Sequence, residues 1–547
     1  MQNKKRITTI LSLVLSAIVL FSGCGNQGSG ASTSKAASSQ ANASSNGKEL
    51  VVAIYKDGAM GELDAATYNG PHFLFKMIYE SFSEDKGGGK IEPVLATSWD
   101  ISEDGKTYTY HLRKGVKFSD GTDFNAAAVE FNLKRWINND RFNSLTSYAV
   151  DNIKIIDDHT IAVTYKDATY SILMEQTYPR PNRFLSPASI ENDGSATGKF
   201  SKPIGTGPWM LEEYKKDDEF TLVPNPYYWG EKPKIDRIRF KVITDAQARV
   251  LALRNGEVDI IGGDLMGKIP MESIDELKNG GDFDVYITGT MCSHFISFNE
   301  DNKILQDKNV RLALNYGADK KSIAEDLFNG KGLEAHGLYQ DSVPYTNSEN
   351  SFAYPYDTEK AAKLLEESGW VDSDGDGIRE KNGQKLEFNF VYSTDEFPEW
   401  KSLAEYLQSL YTKIGVNIKL NCLDKNGYAD ATTTKNFDIC LRRTSSDSWV
   451  PHSSLKELFT PYAKRDYALV WTDKELISMI NDTLLCREEN ERQTKYNKLF
   501  KYICDEAYTV PIYFPTTSFA VNGKKVANFK IGVNNYAPVE WEQLEIK

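Results

Sequence analysis

LATSWDISEDGKTYTYHLRKGVKFSDGTDFNAAAV, residues 95–129, is the stretch on which the reading of the chain turns. Residues 106–112 alternate polar and apolar side chains, the period of two expected of a half-buried strand. Ser102-Glu103-Asp104-Gly105 before them and Ser119-Asp120-Gly121 after them are turn chemistry, because glycine reaches positive φ at no steric cost. A helical pattern then opens at residue 125 and runs to 136. Strand and helix thus occur within one short span.

Outward from this stretch the same mixture continues. Strand-like runs fall at 50–54, 160–165, 235–242, 386–392 and 416–420, and helical periodicity at 245–255, 358–368, 400–414 and 489–506. No internal repeat is evident and βαβ alternation is not strict, so the class is mixed α/β. Gly205 and Gly207 around Thr206 suit a tight turn; no GK[ST] follows, so this is not a phosphate cradle.

The N-terminus is of another kind. Lys4, Lys5 and Arg6 precede an apolar run at 7–21, too short to count by default as a spanning helix. It ends in Phe21-Ser22-Gly23-Cys24, which resembles the lipobox of bacterial lipoproteins, in which the cysteine is diacylated and becomes the mature N-terminus. The alternatives are an uncleaved anchor and an ordinary signal peptide. Residues 26–47 are Gly, Ser, Ala, Asn and Gln with almost no large apolar side chain, a composition that cannot offset the entropy of ordering and reads as a flexible tether.

About 500 residues then remain, enough for two or three domains. The formal charge is −13, and removal of the three leader cations takes it to −16, which argues against nucleic acid or an anionic membrane surface as the main partner. An anionic ligand must therefore be drawn in by a local group of arginines. Beyond Cys24 there are Cys292, Cys422, Cys440, Cys486 and Cys504, with no CxxC pair, so a structural zinc site is not expected. Buried free thiols are the default, with room for one disulfide.

The segment at 95–129 resembles the hallmark of the family 5 extracellular solute-binding proteins, which serve peptide and nickel ABC importers. Three further runs carry the resemblance in order: Pro203-Ile204-Gly205-Thr206-Gly207-Pro208-Trp209, Asn225-Pro226-Tyr227-Tyr228-Trp229, and residues 310–320, VRLALNYGADK. It implies a two-lobed periplasmic-binding-protein-like α/β fold of type II, in the large cluster with an extra subdomain, with two crossovers and a cleft that closes over its ligand. It assigns 1–23 to a lipoprotein signal peptide and 24–48 to the tether. Residues 49–70, 200–286 and 515–547 form the core of the first lobe, 71–199 the extra subdomain and 287–514 the second lobe. The protein so read is a monomeric binding protein, not an enzyme, held on the extracytoplasmic face of the cell membrane by its lipid and docking on an ABC permease.

Two segments resemble the nickel-binding branch. Pro179-Arg180-Pro181-Asn182-Arg183-Phe184 matches a Pro-Arg-Pro run whose arginine salt-bridges a chelator carboxylate, which carries over to Arg180. Arg442-Arg443-Thr444 followed by Trp449-Val450-Pro451-His452 matches a loop whose histidine coordinates the metal, which carries over to His452, with Trp449 as the cleft aromatic. The intervening Ser445-Ser446-Asp447-Ser448 departs from the pattern. Arg443 and Arg141 are further candidates for chelator carboxylates, with a strand-end ion pair as the alternative for Arg443. His72 is a candidate for a second nitrogen to the metal, with a surface position at a helix N-terminus as its alternative. One imidazole cannot complete a six-coordinate nickel shell, so the expected ligand is Ni2+ already wrapped in a small histidine- or opine-like chelator, whose carboxylates suit the planar arginine fork. No resident cofactor is expected.

The other histidines read as structural: His294, where the chain enters the second lobe, as a core residue with a cleft-facing position as the alternative, and His111, His159 and His336 without a partner pattern. Asp372-Ser373-Asp374-Gly375-Asp376-Gly377 is spaced like a calcium loop, but Gly383 stands where a bidentate Glu is needed, and it reads as a solvated turn with at most a weak calcium site. A peptide-binding importer subunit is the alternative function. A hydrolase lacks support, since neither GxSxG nor HExxH occurs and no nucleophile and base are paired at recognisable spacing.

Overall fold

Buried on nearly every residue, β1 (Glu49–Ile54) has the continuous apolar character of a strand covered on both faces. The computed structural model describes residues 48–547 except 59, 68–69, 140–141, 144, 192–195, 445–450 and 462–468. The leader, Cys24, Arg141, Ser445-Ser446-Asp447-Ser448 and Trp449 lie outside the described residues. After β1 comes α1 (His72–Ile78), which buries Phe73, Leu74, Phe75, Met77 and Ile78.

The stretch at 95–129 opens a small antiparallel sheet. Its parts are β2 (Ala96–Ile101), β3 (Thr107–Leu112), α2 (Ala126–Lys134), β4 (Val150–Asp157) and β5 (Thr160–Tyr165), with strand order β2-β3-β5-β4. β3 alternates as read: Tyr108, Tyr110 and Leu112 point inward, and Thr107, Thr109 and His111 lie on the more open face. Asn125 caps α2 by accepting from the Ala128 amide, and Gly105 and Gly121 turn the chain at φ +75° and +82°. A short helix, α3 (Ile172–Glu175), leads out of this subdomain.

Next come β6 (Trp209–Lys215), β7 (Glu219–Pro224), β8 (Arg237–Val242), α4 (Ala246–Arg254), β9 (Ile260–Gly262) and β10 (Asp284–Gly289). With β1 they build the sheet of the first lobe. The second lobe has β11 (His294–Phe298), β12 (Gly332–Glu334), α5 (Thr358–Glu367), β13 (Glu387–Tyr392), α6 (Trp400–Thr412), β14 (Asn417–Cys422) and β15 (Ile439–Arg443). Helices α7 (Pro451–Phe459) and α8 (Glu489–Asp505) follow.

One strand joins the lobes. β16 (Thr509–Val521) pairs with β11 and β12 through its first half and with β9 and β10 through its second. Strand order through it is β14-β13-β15-β11-β16-β9-β1-β8-β7-β6. The chain crosses a second time at 290–293, where Thr290 donates to the Pro515 carbonyl from both its amide and its hydroxyl, at 3.0 and 3.1 Å. Each lobe has its own core: Ile296, Phe388, Phe390, Leu403, Leu407 and Ile439 in the second, and Leu50, Val52, Phe73, Trp209, Leu222 and Phe240 in the first.

The glycines of the 203–209 run act by close approach. Their φ is not positive; instead a Cβ on Gly205 would lie 2.0 Å from the Ile78 carbonyl oxygen, and one on Gly207 2.5 Å from that of Met77. They let this segment pack directly on the end of α1. Cys292, Cys440, Cys486 and Cys504 are buried free thiols as expected, whereas Cys422 is exposed. Among the described residues no helix is long and apolar enough to cross a membrane.

Candidate functional site

His452 is the second residue of α7, behind Pro451, whose missing N–H costs nothing at a helix start. Its side chain is 1 % exposed and meets a carboxylate from the other side of the molecule: Nε2 lies 2.9 Å from Oε1 of Glu175, at the end of α3. Glu175 also accepts from the Thr146 amide (2.9 Å), the Ser147 amide (2.7 Å) and the Thr146 hydroxyl (3.0 Å). Burial raises the Glu175 carboxyl, but His452 and these donors outweigh it and hold the group below its usual range. Burial keeps the imidazole below its own usual value against the pull of Glu175, so the pair is a carboxylate and a neutral ring. The ring then donates from Nε2, and Nδ1, 3.5 Å from the Tyr170 hydroxyl, keeps its lone pair.

Aromatic contacts extend this seam. The Tyr170 hydroxyl is 2.6 Å from that of Tyr496, Tyr496 stacks on Tyr345 at 4.5 Å, and the Arg492 guanidinium lies over the Tyr170 ring at 4.1 Å. Tyr170 also donates its amide to the Leu484 carbonyl, and Lys456 donates to that of Asn143. The subdomain that contains β2–β5 is therefore docked on the helical part of the second lobe.

Arg180 sits five residues beyond Glu175, half-buried, and the Arg180–Pro181 peptide is cis. Its loop is pinned on both sides. Asn182 donates to the Glu175 carbonyl, and Arg183, fully buried, donates to the carbonyls of Tyr178 and Thr177 at 3.0 Å each and pairs with Glu84. Glu84 in turn pairs with Lys76 of α1 at 2.6 Å. Of the two arginines in the run, Arg183 is structural.

Arg443, at the end of β15, stands directly opposite His294 on β11. Its Nη2 is 3.0 Å from Oε1 of Glu396 and its guanidinium is 5.8 Å from the Phe397 ring. Burial opposes its charge, yet Glu396 outweighs that and raises its pKa. His72 begins α1 with its ring edge-on to Phe75 and Tyr536, at 5.7 and 5.4 Å. Tyr536 is close enough to act on Arg443, as is Glu457 of α7. His72 and Tyr536 are ring neighbours, Arg443 stands beside His294 and Glu396 near the crossovers, and His452, Glu175 and the Arg180 loop form a group at the seam.

The remaining histidines divide cleanly. His294 is fully buried and His159 half-buried in the turn between β4 and β5, while His111 pairs with Asp100 and His336 with Asp341 on the surface. The three carboxylates of Asp372, Asp374 and Asp376 cluster in an exposed turn, where Asp372 accepts from the Gly375 and Gly377 amides and Asp376 pairs with Lys385. Sequence reading passed over Glu175 and Tyr170. The available signal was a carboxylate directly after the apolar run Ile172-Leu173-Met174, next to a flagged loop.

The comparisons with known proteins agree with this architecture. The family model of bacterial extracellular solute-binding proteins, family 5, matches residues 90–466. The nickel-binding periplasmic protein of Escherichia coli K12 is 32% identical over 492 residues, covering 88% of this chain and 91% of that protein. A di/tripeptide-binding protein of Pseudomonas aeruginosa is 28% identical over 483 residues, covering 83% and 87%. The crystal structure of NikA from Brucella suis in complex with Fe(III)-EDTA superposes with a TM-score of 0.84 at 29% identity, covering 91% of this chain and all of that one. The chain belongs to the bacterial extracellular solute-binding proteins of family 5, and is an extracytoplasmic substrate-binding protein of an ABC importer rather than an enzyme.

Proposed function

We propose that this protein captures nickel as a small chelate, histidine- or opine-like, by closure of its lobes and delivers it to its permease. The observation that carries the reading is the His452–Glu175 pair at the seam. A metal-binding histidine characteristically donates its other ring nitrogen to a carboxylate, which fixes the tautomer and the ring. In this reading Nδ1 of His452 is the ligating atom and the metal displaces its long contact to Tyr170. Arg180, on the loop that leaves Glu175, takes a chelator carboxylate, at about 1.5–3 kcal/mol for such a charge-assisted bond. Arg443 and His72 are assigned to the same cleft, together with Arg141 and Trp449 beyond the described residues. The similarity to the Escherichia coli nickel-binding protein supports the metal.

The same reading keeps the lobe limits drawn from the sequence and anchors the protein through a lipid on Cys24. Calorimetry with nickel alone, nickel with excess histidine, and a peptide library tests the cargo, repeated with His452→Ala and Arg180→Ala. The chelate is expected to bind tightly and to lose affinity in both variants. Tight peptide binding that neither substitution alters, with no chelate signal, would establish the second reading, a peptide carrier, which the similarity to the di/tripeptide-binding protein favours. Incorporation of a labelled fatty acid, absent in Cys24→Ala, tests the anchor.

A further inference from the structure

His294 is a buried histidine with half of its hydrogen bonding undone. Trp400 Nε1–H donates to its Nδ1 at 2.9 Å, so Nδ1 must carry the lone pair. Burial, with Lys268 and Arg443 nearby, holds the ring well below its usual pKa and hence neutral. The proton is therefore on Nε2. That N–H is buried and has no hydrogen-bond partner among the described residues. An unmade bond of this kind carries a desolvation penalty, and it is seldom left in a native structure without a reason.

Its surroundings point to the reason. His294 is the first residue after the crossover, with Arg443 opposite it on β15 and Tyr513 opposite it on β16. Phe397, Trp400 and Tyr513 present their rings at 4.6, 5.4 and 4.6 Å. Lys268, from the first lobe, reaches over Phe397 at 4.5 Å. The spot is thus where the two lobes meet, walled by aromatic rings, with one N–H donor and two cations. Each cation already has a carboxylate: Glu396, itself largely exposed, on Arg443, and Asp264 at 3.3 Å on Lys268, while Glu399 lies 3.3 Å from the Tyr513 hydroxyl. The Arg443 contact engages a single oxygen through Nε and Nη2, so a better-placed carboxylate can replace it.

We propose that His294, Arg443 and Lys268 form a carboxylate subsite at the crossover end of the cleft, in which His294 Nε2–H donates to a carboxylate oxygen of the cargo. It deepens the function proposed above and rests on that reading for the cargo being a chelate. Lys268 comes from the opposite lobe, so the subsite is complete only when the lobes are closed, and filling it favours closure. Unlike a metal ligand, His294 contributes a proton: its Nδ1 lone pair is committed to Trp400.

The test uses matched acid and amide probes: nickel with excess L-histidine against nickel with excess histidinamide, and alanyl-alanine against its C-terminal amide. The wild-type protein is expected to prefer the acid of a pair, and His294→Phe, which keeps an aromatic ring but no donor, to lower that preference about tenfold. Lys268→Gln, on a partly exposed side chain, is expected to lower it in the same direction. An acid-to-amide ratio unchanged in both variants overturns the subsite, even where the nickel chelate binds well. A His294-dependent preference for the dipeptide acid with no nickel-chelate binding upholds the subsite and overturns the nickel reading.

Discussion

Nε2 of His452 and Oε1 of Glu175, 277 residues apart in the chain, meet at 2.9 Å where both side chains are lost to solvent. A hydrogen bond between a neutral ring and a buried carboxylate is worth about 1.5–3 kcal/mol. Glu175→Ala and His452→Ala should each destabilise the protein, and the double variant should cost less than the sum by about that amount. Denaturant titration of the four proteins measures the coupling; additive losses would mean that the contact contributes nothing.

The same pair sets a pH dependence. The His452 pKa is lowered on folding, so between that value and the ordinary ~6.5 the unfolded chain holds a proton that the folded chain refuses. Its contribution to stability is full above about pH 6.5 and falls as the pH drops below it. In denaturation curves from pH 8 to pH 5, wild type minus His452→Gln should therefore decline on the acid side and be level above neutrality. On the proposed reading, chelate binding should persist to lower pH than an exposed imidazole would permit, because His452 stays neutral there.

Two glycines offer a test that is independent of function. Gly205→Ala would force a Cβ against the Ile78 carbonyl, with no flexible side chain to yield, and should cost about 1–3 kcal/mol or prevent folding. Gly280→Ala, in the last turn of the helix Met271–Gly280 with nothing within 4 Å and no positive φ, should stabilise by about 0.5–1 kcal/mol. Thermal melts of the two variants should shift in opposite directions.

Much of the fold was legible because polarity alone dictates it. The alternation at 106–112 became β3, and the helical patterns at 245–255 and 400–414 became helices to within two residues at either end. The 203–209 glycines were recognised as special, but their cause lies in α1, more than a hundred residues earlier, which no local pattern encodes. The site divides in the same way. His452 and Arg180 stood out through the motifs around them; what holds them did not, because Glu175 meets His452 only after the lobes pack. Lys268 has no sequence signal at all: it gains meaning from Phe397, which arrives from the other lobe.

Glu80 carries the last prediction. It follows α1, is almost fully buried, and its carboxylate accepts from Trp229 Nε1 at 2.8 Å. Burial is the dominant influence and pushes its pKa up to about 7 despite that bond. A raised carboxyl means that the folded state holds a proton the unfolded chain has released. The resulting stabilisation is complete below the ordinary value of 4.5 and is lost as the pH rises through about 7. A shift of this size corresponds to about 3 kcal/mol, since one pKa unit is about 1.4 kcal/mol. Glu80→Gln keeps an acceptor for Trp229 without a charge to bury. It should therefore match the wild type near pH 5 and exceed it in stability near pH 8, by up to about 3 kcal/mol. Because Phe184 donates its amide to the Glu80 carbonyl, the substitution acts next to the Arg180 loop. On the proposed reading, and if the Glu80 ionisation is felt at that loop, chelate affinity should depend less on pH in the variant between pH 6 and 8. Parallel denaturation and calorimetry across that range would measure both effects, and equal pH slopes for the two proteins would assign the ionisation elsewhere.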